Sequence, residues 1–218
     1  MNLVILGATG RTGRLVVEQA LAAGHNVTAL VRSPERLAMS NSNLRVVAGR
    51  ATDASDVARA MAGADAVIST LGGSGSVIAD STRAIVDAAH KTGVKRVVVL
   101  SSFLVERDRM GALSRLITGV VRASMIKDKE EGEQLLRQSD LDWTIGYPSR
   151  LTDTPATGLV KVLPEGAKRR ITERISRADV AGWLVEAATN RQTSHRGVDI
   201  TGGSRTSNGP QMIAGRVD

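Results

Sequence analysis

Short apolar runs alternate along the chain with segments in which apolar residues recur every three or four positions. The runs predict strands, and the three-to-four periodicity predicts amphipathic helices. The predicted strands cover residues 1–6, 26–31, 44–47, 64–70, 95–100, 141–147 and 197–201. Helices between them complete a single Rossmann-type α/β domain, doubly wound, with a mainly parallel sheet and helices on both faces.

The predicted domain covers residues 1–202. The clearest helical patterns lie at 54–61, 77–90 and within 107–138. The segment 152–165 contains Pro and Gly and is predicted to be irregular, whereas Ser176 is predicted to cap the last helix. Glycine and polar residues dominate 203–218, so we expect a flexible tail there.

A glycine-rich turn joins the first predicted strand to the first predicted helix. Gly7, Gly10 and Gly13 allow, in that order, a tight turn, close approach of backbone to a pyrophosphate, and close packing of helix on strand. The N–H groups and positive dipole end of the helix then face the phosphates. The predicted pyrophosphate-binding residues are Gly7, Thr9, Gly10, Arg11, Thr12 and Gly13.

The residue that ends the second strand predicts which dinucleotide binds. Arg32 lies 19 positions after Gly13, where an acidic residue would bind the ribose 2′-OH of NAD and an arginine can hold a 2′-phosphate. Arg32 therefore predicts NADP(H) as cofactor. Arg36 and Arg11 are further candidates for holding the 2′-phosphate. The alternative for Arg36 is a solvated helix residue. One charge-assisted contact contributes about 1.5–3 kcal/mol, or about 10- to 100-fold in affinity.

Further candidate contacts follow the other strands. Asp53 either caps the next helix, which is the safer assignment, or bounds an adenine pocket. Leu71 and Gly72 begin a small-residue loop that is either a backbone contact to the cofactor or a flexible connector. Ser101 and Ser102 end the fifth strand, and ligands bind beyond the carboxyl ends of parallel strands. We therefore predict both serines in the site, with helix capping as the alternative.

Composition excludes several kinds of chemistry. The chain has no cysteine, so it has no disulfide, thiolate nucleophile or zinc–thiolate site. Its three histidines, His25, His90 and His195, show no metal-ligand spacing, and no metal site is predicted.

Charge and hydropathy set expectations about partners and location. The formal net charge of +7 suits anionic ligands, but the basic residues are scattered and only 2% of residues are aromatic, which argues against nucleic acid. The first strand begins almost at Met1, which leaves no room for a signal peptide, and no run of about 18 apolar residues predicts a membrane span. We expect a cytoplasmic protein that does not bind membranes.

Five segments in order carry a resemblance to a known family: 7–13, 30–32, 99–102, 141–145 and 175–181. The chain resembles the NAD(P)H-binding, atypical (NmrA-like) branch of the short-chain dehydrogenase/reductase superfamily. Within that branch it is similar to flavin reductases of the biliverdin-IXβ type. The resemblance implies that Arg32 and Arg36 hold the NADP 2′-phosphate, that Thr12 lies in the phosphate loop, and that Ser102 is the active-site serine.

Two departures from the family pattern are informative. Lys129 looks like the superfamily's catalytic lysine, which contacts the nicotinamide ribose, but Met125 stands where the tyrosine should be. Arg150 stands where the biliverdin-type enzymes carry a substrate-facing histidine; it either binds a carboxylate or phosphate of the substrate or is a surface residue. Tyr147 and Pro148, at the end of the sixth strand, are further predicted cofactor contacts.

The missing tyrosine favours one class of acceptor. Reduction of a ketone makes an alkoxide that needs a positioned acid, whereas a flavin, quinone or tetrapyrrole becomes a delocalised anion that water can protonate. We therefore predict an NADPH-dependent reductase of such a small molecule, with FMN or FAD as candidate substrates. The alternatives are a non-catalytic NADP(H)-binding redox sensor and a sugar-nucleotide epimerase. The chain is predicted to be a monomer or a homodimer.

Overall fold

The computed structural model describes residues 1–72, 76–102, 123–167 and 172–203. Its strands are β1 Asn2–Leu6, β2 Asn26–Val31, β3 Leu44–Ala48, β4 Ala66–Ser69, β5 Arg96–Leu100, β6 Asp142–Pro148, β7 Arg150–Thr152, β8 Val160–Val162, β9 Arg174–Ser176 and β10 Arg196–Gly202. Its helices are α1 Arg11–Ala22, α2 Ala54–Met61, α3 Val77–Thr92, α4 Ala123–Gln138 and α5 Arg177–Thr189, with a 3₁₀ turn at Pro34–Arg36.

Eight strands form one sheet in the order β3-β2-β1-β4-β5-β6-β10-β8. All neighbours in this sheet are parallel except β8, which pairs with β10 in the antiparallel direction. The strand order reverses between β1 and β4, and this reversal opens a crevice at the carboxyl ends of those strands. The structure thus confirms the predicted Rossmann-type, mainly parallel fold.

Both faces of the sheet are covered by helices. Leu3 and Ile5 of β1 pack into a core shared with α1 and α5. Val4 and Leu6, which alternate with them, pack into a second core shared with α2, α3 and α4. A central strand that is apolar at every position therefore needs cover on both sides, as the sequence pattern predicts.

A buried carboxylate joins α4 to α3. Asp128 of α4 accepts hydrogen bonds of 2.9 Å from the backbone N–H groups of Ile78 and Ala79, in the first turn of α3. Gly132, one turn further along α4, lies so close to α3 that a Cβ would be 3.0 Å from Ile78 Cγ2. Asp128 thereby acts as the N-terminal cap of a helix to which it does not belong.

The predicted boundaries of β2 and α2 agree with the structure, and Ser176 caps α5 through a 2.9 Å hydrogen bond from Asp179 N–H. The segment 152–165 differs from its prediction, because it contains the short strand β8. The predicted helix over 107–122, the loop at 73–75 and most of the tail lie outside the described residues. Among the described residues, no helix is both long and apolar enough to cross a bilayer.

We predict that Asp128→Ala lowers the free energy of unfolding by about 2–4 kcal/mol, because two buried N–H groups lose their acceptor. Urea unfolding followed by circular dichroism measures this change. The matched control is Glu131→Ala, at an exposed position of the same helix, for which we expect a change within about 0.5 kcal/mol. Equal losses for the two variants would contradict the capping role.

Candidate functional site

The glycine turn between β1 and α1 is sterically tight. Gly7 has a φ of +83°, and a Cβ there would lie 2.8 Å from the Thr70 hydroxyl oxygen. A Cβ on Gly13 would overlap the carbonyl oxygen of Gly7. Gly10 is the N-cap residue of α1 and provides no side-chain cap to the first N–H groups of that helix. The N-cap residue therefore leaves the first backbone N–H groups of α1 uncapped. A phosphate site at a helix N-terminus requires such N–H groups.

Thr9 of this turn lines a pocket of about 330 Å³ together with Arg32, Ser33 and Arg36, and we call it the arginine pocket. Two of its four lining residues are cationic and none is acidic. Arg32 directly follows β2, and Arg36 ends the 3₁₀ turn. The structure thus brings the predicted 2′-phosphate residues together beside the predicted pyrophosphate turn.

Arg14, which the sequence did not single out, holds this region in place. Its guanidinium donates hydrogen bonds to the carbonyl oxygens of Arg36 and, at 3.2 Å, of Leu37. The Leu37 side chain is buried in the core beside α1. The 3₁₀ turn is therefore fixed to α1 at both backbone and side chain. The residue type gave no signal for this, since the partners of Arg14 are backbone groups.

Arg11, also a candidate for holding the 2′-phosphate, makes a contact outside the arginine pocket. Its side chain forms an ion pair with Asp153, which also accepts a 2.6 Å hydrogen bond from Arg177 at the start of α5. Arg11 is not among the residues that line the arginine pocket. It instead connects the glycine turn to the segment that follows β7. Thr12, the next residue, is buried in the first turn of α1.

Three further predicted cofactor-binding residues, which follow β3 and β4, lie in loops. Asp53 caps α2, accepting hydrogen bonds of 2.8 and 3.0 Å from the N–H groups of Ser55 and Asp56. Leu71 packs against the core beside α3, and Gly72 faces open space. Cofactor contacts by these residues remain predictions.

A buried polar cluster lies where β5 and β6 end. Glu133 of α4 accepts a 2.5 Å hydrogen bond from the Ser101 hydroxyl and a second from the Tyr147 hydroxyl. Arg137 donates to the Tyr147 oxygen at 2.9 Å and lies 3.9 Å from the Glu133 carboxylate. Lys129 lies one helical turn before Glu133 and is buried. We call these five residues the Glu133 cluster.

Burial and charge oppose each other in this cluster. The pKa of Glu133 is raised, because desolvation outweighs the hydrogen bonds from Ser101 and Tyr147 and the charges of Arg137 and Lys129, which lower it. The pKa of Lys129 is lowered, because desolvation outweighs the charges of Glu133 and Asp128, which raise it. Burial, together with the adjacent Glu133, raises the pKa of Tyr147. The Tyr147 hydroxyl is therefore a hydrogen-bond donor that keeps its proton.

The other predicted site residues lie near this cluster in the chain. Ser102 follows Ser101 directly and is half-buried. Pro148 ends β6 and pairs with Ile200 of β10. Arg150 is exposed on β7, next to Arg174 of β9 in register. The Met125 side chain lies outside the described residues.

Glu133 and Arg137 were not predicted as site residues, although a pattern points to them. Lys129, Glu133 and Arg137 are spaced four residues apart and so share one face of α4. A helix that packs on a sheet ordinarily places apolar residues on that face. In the part of the chain that the structure describes, no group of three or more His, Asp or Glu residues could hold a metal ion.

Comparison with known proteins identifies the family. The family model described as NAD(P)H-binding matches residues 7–191. The chain belongs to the NAD(P)H-binding family. The resemblance read from the sequence is confirmed, and the glycine turn, the arginine pocket and the Glu133 cluster all lie within the matched residues.

Individual relatives extend this finding. At2g34460, an uncharacterized chloroplastic protein of Arabidopsis thaliana, is 32% identical, and the match covers 91% of this chain and 76% of that protein. YhfK of Bacillus subtilis, an uncharacterized sugar epimerase, is 28% identical over 93% of this chain and 95% of its own length. Among solved structures, ChuY, an anaerobillin reductase from Escherichia coli O157:H7, is 25% identical with a TM-score of 0.77, covering 95% of this chain and 100% of ChuY. The matches together support an NAD(P)H-binding oxidoreductase.

We predict that Gly13→Ala lowers the free energy of unfolding by about 2–3 kcal/mol, because the new methyl group displaces α1 from the turn. Gly72→Ala is the matched control, since a Cβ there meets nothing within 4 Å, and its effect should stay within about 0.5 kcal/mol. Urea unfolding of both variants measures the difference. A Gly13→Ala variant as stable as Gly72→Ala would refute the steric account of the turn.

Proposed function

We propose that this protein is an NADPH-dependent reductase that transfers hydride to a planar conjugated acceptor, such as a flavin, a quinone or a tetrapyrrole. The observation that carries the cofactor assignment is the arginine pocket, where Arg32 and Arg36 line one cavity with Thr9 of the glycine turn. This arrangement supports a dinucleotide whose pyrophosphate binds at the glycine turn and whose ribose 2′-phosphate binds in the arginine pocket.

The charge of the pocket favours NADPH over NADH. A 2′-phosphate brings negative charge to a site with two guanidinium groups, and planar guanidinium groups match phosphate oxygens in geometry. NADH places only a hydroxyl there, for which an acidic residue would be the better partner. Arg14 supports this selectivity, because it fixes the backbone of the turn that carries Arg36.

The nicotinamide end of the site falls at the carboxyl ends of β5 and β6. A dinucleotide bound in this fold crosses the crevice where the strand order reverses, so its nicotinamide half lies toward Ser101, Ser102 and Lys129. When bound, the reduced nicotinamide supplies the hydride. In the proposed reaction Ser102 orients nicotinamide or acceptor, and Lys129 binds the ribose hydroxyls.

The distribution of potential proton donors supports a conjugated acceptor. Tyr147 is the one tyrosine of the chain, and its hydroxyl is buried between Glu133 and Arg137. The three histidines lie at the amino-terminal ends of the strands, opposite the proposed site: His25 precedes β2, His195 precedes β10, and His90 pairs with Asp140 before β6.

An alkoxide formed from a ketone would therefore lack the acids that usually protonate it. A conjugated acceptor does not need a positioned acid. It takes up two electrons with the hydride, spreads the negative charge over its rings, and then gains a proton from water. Within this proposal the protein's main task is to hold two planar rings against each other.

The alternative function is a sensor that binds NADP(H) without turnover. Met125 also favours this alternative, because a methionine at the tyrosine position removes the usual proton donor.

We predict that the purified protein oxidises NADPH in the presence of at least one of FMN, FAD, riboflavin, a quinone or biliverdin. Absorbance at the NADPH band follows the reaction, with NADH and acceptor-free mixtures as controls. Tight NADPH binding without oxidation by any acceptor would reject the reductase and support the sensor.

We predict that Arg32→Ala reduces the preference for NADPH over NADH by about 10- to 100-fold, the value of one charge-assisted contact. The preference is measured as the ratio of dissociation constants by isothermal titration calorimetry. Arg191→Ala is the matched control, since Arg191 is 85% exposed and lies near the amino end of β10. An unchanged ratio in Arg32→Ala would show that another group selects the cofactor.

A further inference from the structure

Two members of the Glu133 cluster have no task in the proposed reaction. Glu133 is 8% exposed and Arg137 partly exposed, and both lie on the face of α4 that also carries Lys129. Charged side chains are rarely buried unless they are paired. An apolar cluster of the same volume is often at least as stable as a buried ion pair. Arg137 also lies over the Trp143 ring, 4.8 Å from its centroid, so it has a packing role as well. Fold stability alone gives no reason for the buried carboxylate of Glu133.

The hydrogen bonds of the cluster have a fixed direction. Arg137 can only donate, so the Tyr147 oxygen accepts from it and the Tyr147 proton points to Glu133. Arg137 lies 3.9 Å from the Glu133 carboxylate, and its charge and that of Lys129 favour the ionised form against the effect of burial. An ionised Glu133 can only accept, so the Ser101 proton also points to Glu133.

This direction limits what Ser101 can offer to a ligand. Its single proton is committed to Glu133, and only the lone pairs of its oxygen remain for other partners. Ser101 directly precedes Ser102 at the carboxyl end of β5 and keeps 8% of its surface exposed. A ligand group that reaches the Ser101 oxygen therefore meets a hydrogen-bond acceptor.

We infer that Glu133 is a positioning residue for the nicotinamide end of the site. By holding the Ser101 proton, it makes Ser101 an acceptor for a ligand N–H group, such as the carboxamide N–H of nicotinamide. By its charge, it holds the Lys129 ammonium group on the same face of α4. Tyr147 and Arg137 in turn keep Glu133 in place. This inference rests on the proposed NADPH site, whose adenine half is separate from the cluster.

Glu133→Gln tests the inference with little change of shape. The glutamine oxygen can accept the Tyr147 proton, and its NH₂ group then donates to Ser101. The hydrogen bond at Ser101 is reversed, and the Ser101 proton is turned toward the ligand. Glu130→Gln is the matched control, because Glu130 is exposed on the same helix and its replacement removes the same charge.

The two halves of the dinucleotide are measured separately by isothermal titration calorimetry. Adenosine 2′,5′-bisphosphate probes the adenine half, and NADPH probes the whole site. We expect Glu133→Gln to weaken NADPH binding roughly tenfold, the value of one lost hydrogen bond, and to leave bisphosphate binding unchanged. Glu130→Gln should leave both dissociation constants unchanged.

Tyr147→Phe provides a second variant that does not depend on the folding of Glu133→Gln. It removes the hydroxyl that holds Glu133, so we expect a weaker effect in the same direction. The double variant should lose less than the sum of the two single effects, because both act through Ser101.

Equal weakening of NADPH and bisphosphate in Glu133→Gln, or no weakening of either, would overturn the positioning role. Failure of the proposed function gives a different result. Wild-type protein that does not bind the bisphosphate and binds NADH as tightly as NADPH would contradict the NADP assignment, while the response of NADPH binding to Glu133→Gln would still test Glu133.

Discussion

The close approach of α1 to β1 is the constraint on which the site depends. Gly7 and Gly13 lack the side chains that would collide with Thr70 and with the Gly7 carbonyl, so the helix begins directly against the end of the strand. This contact aims the first N–H groups of α1 at the crevice. It also places Arg14 where it can hold the 3₁₀ turn, and with that turn Arg36. One steric requirement thus arranges both the glycine turn and the arginine pocket.

The two ends of the proposed site are built on different physical principles. At the adenine end, two arginines line an open pocket, so charge selects the ligand. At the nicotinamide end, a buried carboxylate fixes the direction of each hydrogen bond, so geometry selects the ligand. Asp128 and Gly132 join α4 to α3 and so help to place it at the second end.

Sequence patterns were sufficient for features that depend on local physics. Apolar periodicity or the backbone needs of single residues account for seven of the ten described strands, for the glycine turn, for the Ser176 cap and for the Arg32 position. The missed features depend on contacts that no local pattern encodes. Arg14 bonds to backbone carbonyls 22 and 23 residues away, and β8 is three residues long and is specified by pairing with β10. Glu133 could have been predicted, because a charged residue at every fourth position of a packed helix face indicates a polar cluster at that face.

Hydride transfer is the central claim, and a single-turnover experiment tests it most directly. NADPH deuterated at one or the other C4 position is mixed with excess protein and a conjugated acceptor, and the loss of NADPH absorbance is followed. The account predicts acceptor-dependent oxidation that is slowed by deuterium at one C4 position and hardly affected by deuterium at the other, since the bound ring presents one face to the acceptor. Bound NADPH that stays reduced with every acceptor, or that reacts at the same rate with either deuterated form, would contradict the account.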